Sequence, residues 1–165
     1  MRPPANAAPR SSIASWLLQR YLQAPEHAAK LRFTRWLGRV FPGGVRTRLA
    51  EGIVLYLSPA DWIEYLLLRG EVYEPATRAF LRHNLRAGDG AVYAGVNFGL
   101  HVVDGALAVG PSGRIVGVEP QPRARTRAGR NLAANGAGAQ TTIVAKALAA
   151  SDGRTTMAWA PVDNP

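Results

Sequence analysis

The chain has no cysteine. That excludes disulfide scaffolds, thiolate zinc sites, iron–sulfur clusters and a cysteine nucleophile. Histidine is scarce: His27, His83 and His101 are scattered, which argues against a His-rich metal site. No run of about 18 charge-free apolar residues occurs, so no transmembrane helix is expected. The opening MRPPANAAPRSS has two Arg and no apolar stretch behind them, a poor match to a signal peptide. A cytoplasmic protein is the expectation. Acid is missing from one region. Residues 1–50 set Glu26 against nine basic groups, a net of +8, whereas residues 51–165 hold eleven basic and ten acidic groups, a net of +1. The basic character belongs to the N-terminal region, so a whole-domain nucleic-acid binder is disfavoured and no specific nucleic-acid partner is expected.

What is present suffices for a core. A length of 165 residues with 47% apolar content suits one packed domain, not a disordered chain. Residues 1–10 are Pro/Ala-rich and read as a disordered tail. Ser11 or Ser12 caps a predicted helix reaching about Ala24, with Ile13, Trp16, Leu17 and Tyr21 at helical spacing, and Pro25 breaks it. A second helix over about 26–40 sets Ala29, Phe33, Trp36, Leu37 and Val40 on one face and Lys30, Arg32, Arg35 and Arg39 mostly elsewhere. Such a basic amphipathic helix either packs on its own domain or lies on an anionic membrane or partner. Residues 46–57 read as a hairpin bending at Glu51-Gly52. Helices follow over 60–69, ended by Gly70, and over 75–86, with Phe80 and Leu81 as buried anchors.

From Gly88 the pattern changes. Predicted strands at 91–95, 114–118 and 141–146 alternate with helices, one ending near Val109 and one over 122–134. Asp152-Gly153 turns into a last strand, 154–159. This alternation predicts βαβ units and a parallel sheet. The expectation is therefore an α/β chain: a helical and hairpin region over 11–87, then a Rossmann-like sheet over 88–165.

Ligands of such sheets bind beyond the C-terminal strand ends. Two features meet there. The turn Gly95-Val96-Asn97-Phe98-Gly99 lets a ligand approach the backbone at the start of a helix. Glu119 closes the next strand, where a carboxylate can accept hydrogen bonds from both ribose hydroxyls of a nucleoside. The turn lacks the G-x-G-x-x-G of a pyrophosphate cradle, which favours S-adenosylmethionine over NAD. The plainer alternative is that the glycines only permit a tight turn and Glu119 is an exposed strand-end acid.

The stretch Gly88-Asp89-Gly90-Ala91-Val92-Tyr93-Ala94-Gly95-Val96-Asn97-Phe98-Gly99, with Val109 to Pro120, resembles FkbM-type methyltransferases, which are class I, S-adenosylmethionine-dependent enzymes. Gly70-Glu71-Val72-Tyr73-Glu74-Pro75 is similar to their G-x-x-Y-E-P segment. Asn131-Leu132 with Asn135-Gly136 is similar to N-L-x-x-N-G, and Ala147-Leu148 with Asp152-Gly153 to A-L-x-x-x-D-G. The resemblance covers about residues 46–165. It implies that the backbone of Gly95, Asn97 and Gly99 faces the methionine part of the cofactor and Glu119 the ribose. Ala147 and Leu148 would border the adenine, and Glu74 would line the methionine end. It implies O-methyl transfer to a small molecule or saccharide. His101, just after the glycine turn, is the one imidazole near the expected site and could serve as a base; the plainer reading is a helix residue that packs or faces solvent.

Three features depart from the family. Where it writes V-D-V-G-A-N-x-G, this chain carries Tyr93 in place of the first acid. Asp104 and Gly105 interrupt an otherwise apolar helix, and an unpaired buried carboxylate there would cost several kcal/mol or stay protonated. The family also continues beyond the point matching Pro165, to a K-I-D-V-E-G segment on the next central strand. The resemblance thus implies a C-terminally truncated, incomplete sheet with an open edge at strand 91–95, and, as the second reading, a non-catalytic fragment with weak or no cofactor binding.

Overall fold

A computed structural model describes residues 13–25, 27 and 29–157. The expected tail over 1–10 lies outside the described residues, as do positions 158–159 of the expected last strand. Helices α1 (Ile13–Gln23) and α2 (Lys30–Val40) come first, then strands β1 (Val45–Arg48) and β2 (Val54–Leu57). Helices α3 (Trp62–Leu68) and α4 (Pro75–Asn84) lead into β3 (Gly90–Ala94), α5 (Leu100–Val109), β4 (Arg114–Val118), α6 (Pro122–Ala134) and β5 (Thr141–Val144).

The N-terminal strands pair antiparallel around Glu51-Gly52, with Val45 opposite Leu57 and Arg48 opposite Val54. Asp61 starts α3 by accepting hydrogen bonds from the Ile63 and Glu64 N–H groups, both at 3.2 Å. Such a cap satisfies amide donors that have no partner within the helix. Pro75 opens α4, where its missing N–H costs nothing.

The second half is the expected α/β unit. The sheet has order β3-β4-β5 and is parallel, with Ala91 beside Ile115 and Ile115 beside Thr141. Two crossovers of one hand and one direction place α5 and α6 on the same face. That face carries buried Ile115 and the partly buried Ala91, Tyr93 and Ile143, all packed on the core. The opposite face is open: Val92 is 74% exposed and Val116 is 37% exposed. Among the described residues β3 pairs only with β4.

One apolar cluster joins both halves, from Leu18 and Leu22 through Leu55, Leu57 and Leu68 to Val102, Val103, Ile115 and Leu132. Asn131 on α6 and Asn135, which caps its C-terminal end, carry the hairpin. Asn131 accepts the Tyr56 N–H at 2.7 Å and donates to the Phe98 carbonyl at 2.8 Å. Asn135 accepts the Val54 N–H at 2.9 Å and donates to the Val54 carbonyl at 2.7 Å. Spaced four apart, they satisfy the β2 edge as a third strand would. Glu64, also fully buried, accepts the Ser58 N–H at 2.6 Å and pairs with Arg127 of α6. Burial pushes its carboxyl up to about 7, against the lowering effect of Arg127.

Several expectations need correction. Residues 154–157 form no strand. Phe80 is no anchor: it is 64% exposed, and α4 instead buries Arg78. On α2 the inward residues are Lys30, Thr34 and Leu37, while Phe33, Trp36 and Val40 are exposed. A 3.6-residue period gives stripes, but not which stripe a neighbour covers.

Asp104 is the clearest correction. It is buried yet not unpaired: Arg78 Nε donates to its Oδ2 at 2.7 Å and Arg78 Nη2 to its Oδ1 at 3.3 Å. Arg82 adds a contact at 3.3 Å, and Arg78 Nη1 also reaches Glu51 at 3.0 Å. A two-pronged guanidinium–carboxylate pair is the geometry that offsets the desolvation of both charges.

Candidate cofactor-binding site

The C-terminal ends of the three parallel strands lie side by side, and three of the predicted segments follow them directly. The glycine turn leaves β3, Glu119 leaves β4, and Ala147-Leu148 comes after β5. The ladder runs one rung past the strands: Gly95 N–H reaches the Val118 carbonyl and Glu119 N–H the Val144 carbonyl, both at 3.0 Å.

The turn is built from left-handed backbone. Gly95 has φ 85°, Asn97 φ 49° and Gly99 φ 93°. Gly99 is required twice, because a Cβ there would also lie 3.1 Å from Ala128 of α6. Gly117 serves the turn from β4: a Cβ on it would meet Val96 Cγ2 at 2.4 Å, so its absence lets Val96 fold onto the sheet. Above Gly95 there is open space, with nothing within 4 Å of an added Cβ.

Glu119 is not the exposed strand-end acid of the plainer reading; it is 7% exposed. Its Oε2 accepts the Val96 N–H at 3.2 Å and the Asn97 N–H at 2.9 Å, while Oε1 accepts the Gln121 N–H at 3.0 Å. A carboxylate offers about four acceptor positions, so the turn and the start of α6 occupy most of them. The carboxylate thereby ties the glycine turn to the end of β4.

Glu74 sits at the other side of the turn. It starts α4 in left-handed backbone, φ 46°, and its Oε2 lies 3.0 Å from His101 Nε2 in the first turn of α5. The neighbouring Tyr73 hydroxyl holds the Glu74 carboxyl below the usual range, and Glu74 in return pushes Tyr73 up. His101 Nδ1 is buried with no hydrogen-bond partner among the described residues. Ala147 and Leu148 are exposed, with Leu148 at 65%.

Tyr93 points away from the strand ends, onto α5. A Cβ on Gly105 would lie 2.0 Å from the Tyr93 hydroxyl oxygen and 2.9 Å from Cζ. Tyr93 and Gly105, two of the departures noted in the sequence, are thus one packed pair. The hydroxyl is buried without a hydrogen-bond partner among the described residues. Burial, then the charge of Asp104, pushes it up to about 12.

No protein-family model matches the chain, and no curated protein does. Solved structures do. The match to an S-adenosylmethionine-dependent O-methyltransferase from Thermotoga maritima is 26% identical, covering 67% of this chain and 44% of that one at a TM-score of 0.44. An O-methyltransferase from Bacillus cereus, solved with S-adenosylhomocysteine, is 13% identical over 80% of this chain and 51% of its own, with a TM-score of 0.40. A methyltransferase from Geobacter sulfurreducens is 17% identical over 84% and 56%, with a TM-score of 0.36. The chain therefore spans about half the length of these structures. The superpositions are partial and say nothing of this chain's own chemistry. Among the described residues no three His, Cys, Asp or Glu side chains form a metal-holding group, and no helix is long and apolar enough to cross a membrane.

Proposed function

We propose that residues 88–165 are the cofactor half of an S-adenosylmethionine-dependent methyltransferase of FkbM type, acting in the cytoplasm by O-methyl transfer to a small molecule or saccharide. Residues 11–87 are its helical and hairpin extension. One observation carries the reading: a buried carboxylate at the β4 end touches the glycine turn at the β3 end. That is where a nucleoside would rest on an open parallel sheet. The open space above Gly95 fits a ligand lying on the backbone.

Glu119 would hold the ribose hydroxyls, giving up the Val96 and Asn97 amides as it does so. The backbone of Gly95, Asn97 and Gly99 would face the methionine part, with Glu74 beside it; Ala147 and Leu148 would border the adenine. The bound cofactor supplies an activated methyl group. The chain contributes positioning, and His101, oriented by Glu74, can hold a proton at Nε2.

A second reading is favoured by the state of Glu119 and Tyr93. With Glu119 held by three backbone amides and Tyr93 packed into α5, the same residues make a self-satisfied turn that needs no ligand. Isothermal titration with S-adenosylmethionine and S-adenosylhomocysteine separates the two. The enzyme reading expects a Kd tighter than about 1 mM, roughly −4 kcal/mol, weakened at least about tenfold in Glu119→Gln. A Kd weaker than that in the folded wild-type chain leaves the second reading.

A further inference from the structure

The first two helices carry a surface that the cofactor reading does not use. Tyr21 of α1 meets Phe33 of α2 edge to face, with ring centroids 5.0 Å apart. Leu17, Leu18, Tyr21, Phe33, Leu37 and Phe41 line an open groove of about 500 Å³ between the helices. Phe33, Trp36 and Val40 continue that groove outward along α2, exposed by 39%, 51% and 49%, and Leu17 faces them from α1 at 55%. Residues 33, 36 and 40 fall on one helical stripe. This stripe lies beside the inward face of Lys30, Thr34 and Leu37 and is left exposed among the described residues.

Charge borders it. Arg32 and Arg39 flank the stripe on α2, and Arg20 lies on α1; all three are exposed. Residues 1–50 carry a net charge of +8, with Glu26 as their one acid. An apolar stripe rimmed by arginine on two adjacent helices is the pattern of a helix lying in the interface of an anionic bilayer. Nucleic acid fits less well. The Phe33 and Trp36 rings stack on each other at 5.4 Å and 24°, so each already gives one face to its neighbour. The groove between the helices is lined by alkyl and aromatic groups rather than polar ones.

We propose that the α1–α2 surface docks on an anionic lipid bilayer. Leu17, Phe33, Trp36 and Val40 enter the acyl boundary, and Arg20, Arg32 and Arg39 meet the headgroups. Docking through this face does not depend on the cofactor reading.

The test is co-sedimentation of the full chain with vesicles of phosphatidylcholine alone and of phosphatidylcholine with about one-third phosphatidylglycerol. Binding should be at least about tenfold tighter on the anionic vesicles. It should fall when salt is raised from about 0.1 M to 1 M, as the screening length shrinks about threefold. The double variant Phe33→Ala/Trp36→Ala, at exposed positions, should lose at least about tenfold of the affinity with an unchanged circular dichroism spectrum. Arg32→Gln should weaken binding to anionic vesicles and leave zwitterionic binding alone, a check independent of the aromatic pair. Equal binding to both vesicle types overturns the proposal, as does an unaltered affinity in the folded double variant. Loss of single-stranded RNA binding in the double variant, with no vesicle binding by the wild type, overturns it in favour of nucleic acid.

Discussion

Gly105→Ala tests whether Tyr93 and Gly105 are one packed unit. The new methyl would lie 2.0 Å from the Tyr93 hydroxyl oxygen, 2.9 Å from Cζ and 3.3 Å from Cε2. Rotating the hydroxyl cannot relieve a clash with the ring carbon, so the ring must swing or α5 must lift from the sheet. Overpacking of this kind costs about 1–3 kcal/mol. Taken alone, a helix-interior Gly→Ala change is favourable by about 1 kcal/mol. The two effects separate in a double-mutant cycle. Gly105→Ala should destabilise the wild-type chain by about 1–3 kcal/mol and stabilise the Tyr93→Ala background by up to about 1 kcal/mol. The coupling is then about 1–4 kcal/mol, read by urea unfolding with matched slopes. Tyr93→Phe removes a buried hydroxyl that has no partner, so it should be neutral or slightly stabilising. A coupling below about 0.5 kcal/mol would refute the packed pair, and with it the account of why α5 carries a glycine at its centre.

Two more outcomes follow from the buried charges. Asp104→Asn leaves the Arg78 guanidinium buried with only Glu51 for a carboxylate partner, and should cost about 3–5 kcal/mol in urea unfolding. For Glu64, the folded chain binds its proton more tightly than the unfolded chain, with the carboxyl at about 7 against 4.5. Its contribution is present below the unfolded value and is lost as pH rises through the folded one, so wild-type stability should fall by about 2 kcal/mol between pH 5 and pH 8. In Glu64→Gln that fall should be absent; an unchanged pH slope would contradict the assignment.

Much of the second half was legible in the sequence because it rests on local chemistry. Strand-length apolar runs alternate with helix-period segments, and the glycine turn and Glu119 fall at the junctions. Parallel pairing then brings those junctions to one edge whatever the side chains do. The hairpin bend and the stop at Gly70 were readable for the same reason: each is a turn or helix end decided by a few neighbouring residues.

What the tertiary structure decided concerns partners far apart in the chain. Asp104 reads as a penalty until α4 delivers Arg78 from 26 positions away. Asn131 and Asn135 fall in a segment of the sequence that only resembles a family motif, and the packing of α6 on the hairpin makes them partners of the β2 backbone, 75 and 81 positions distant. Glu119 was placed at the strand end by the chain, yet the fold of the turn beneath it decided that its oxygens accept amides. The exposure of Phe80, Trp36 and Val92 was likewise beyond periodicity. Periodicity is a property of one element, and burial depends on which other element arrives to cover it.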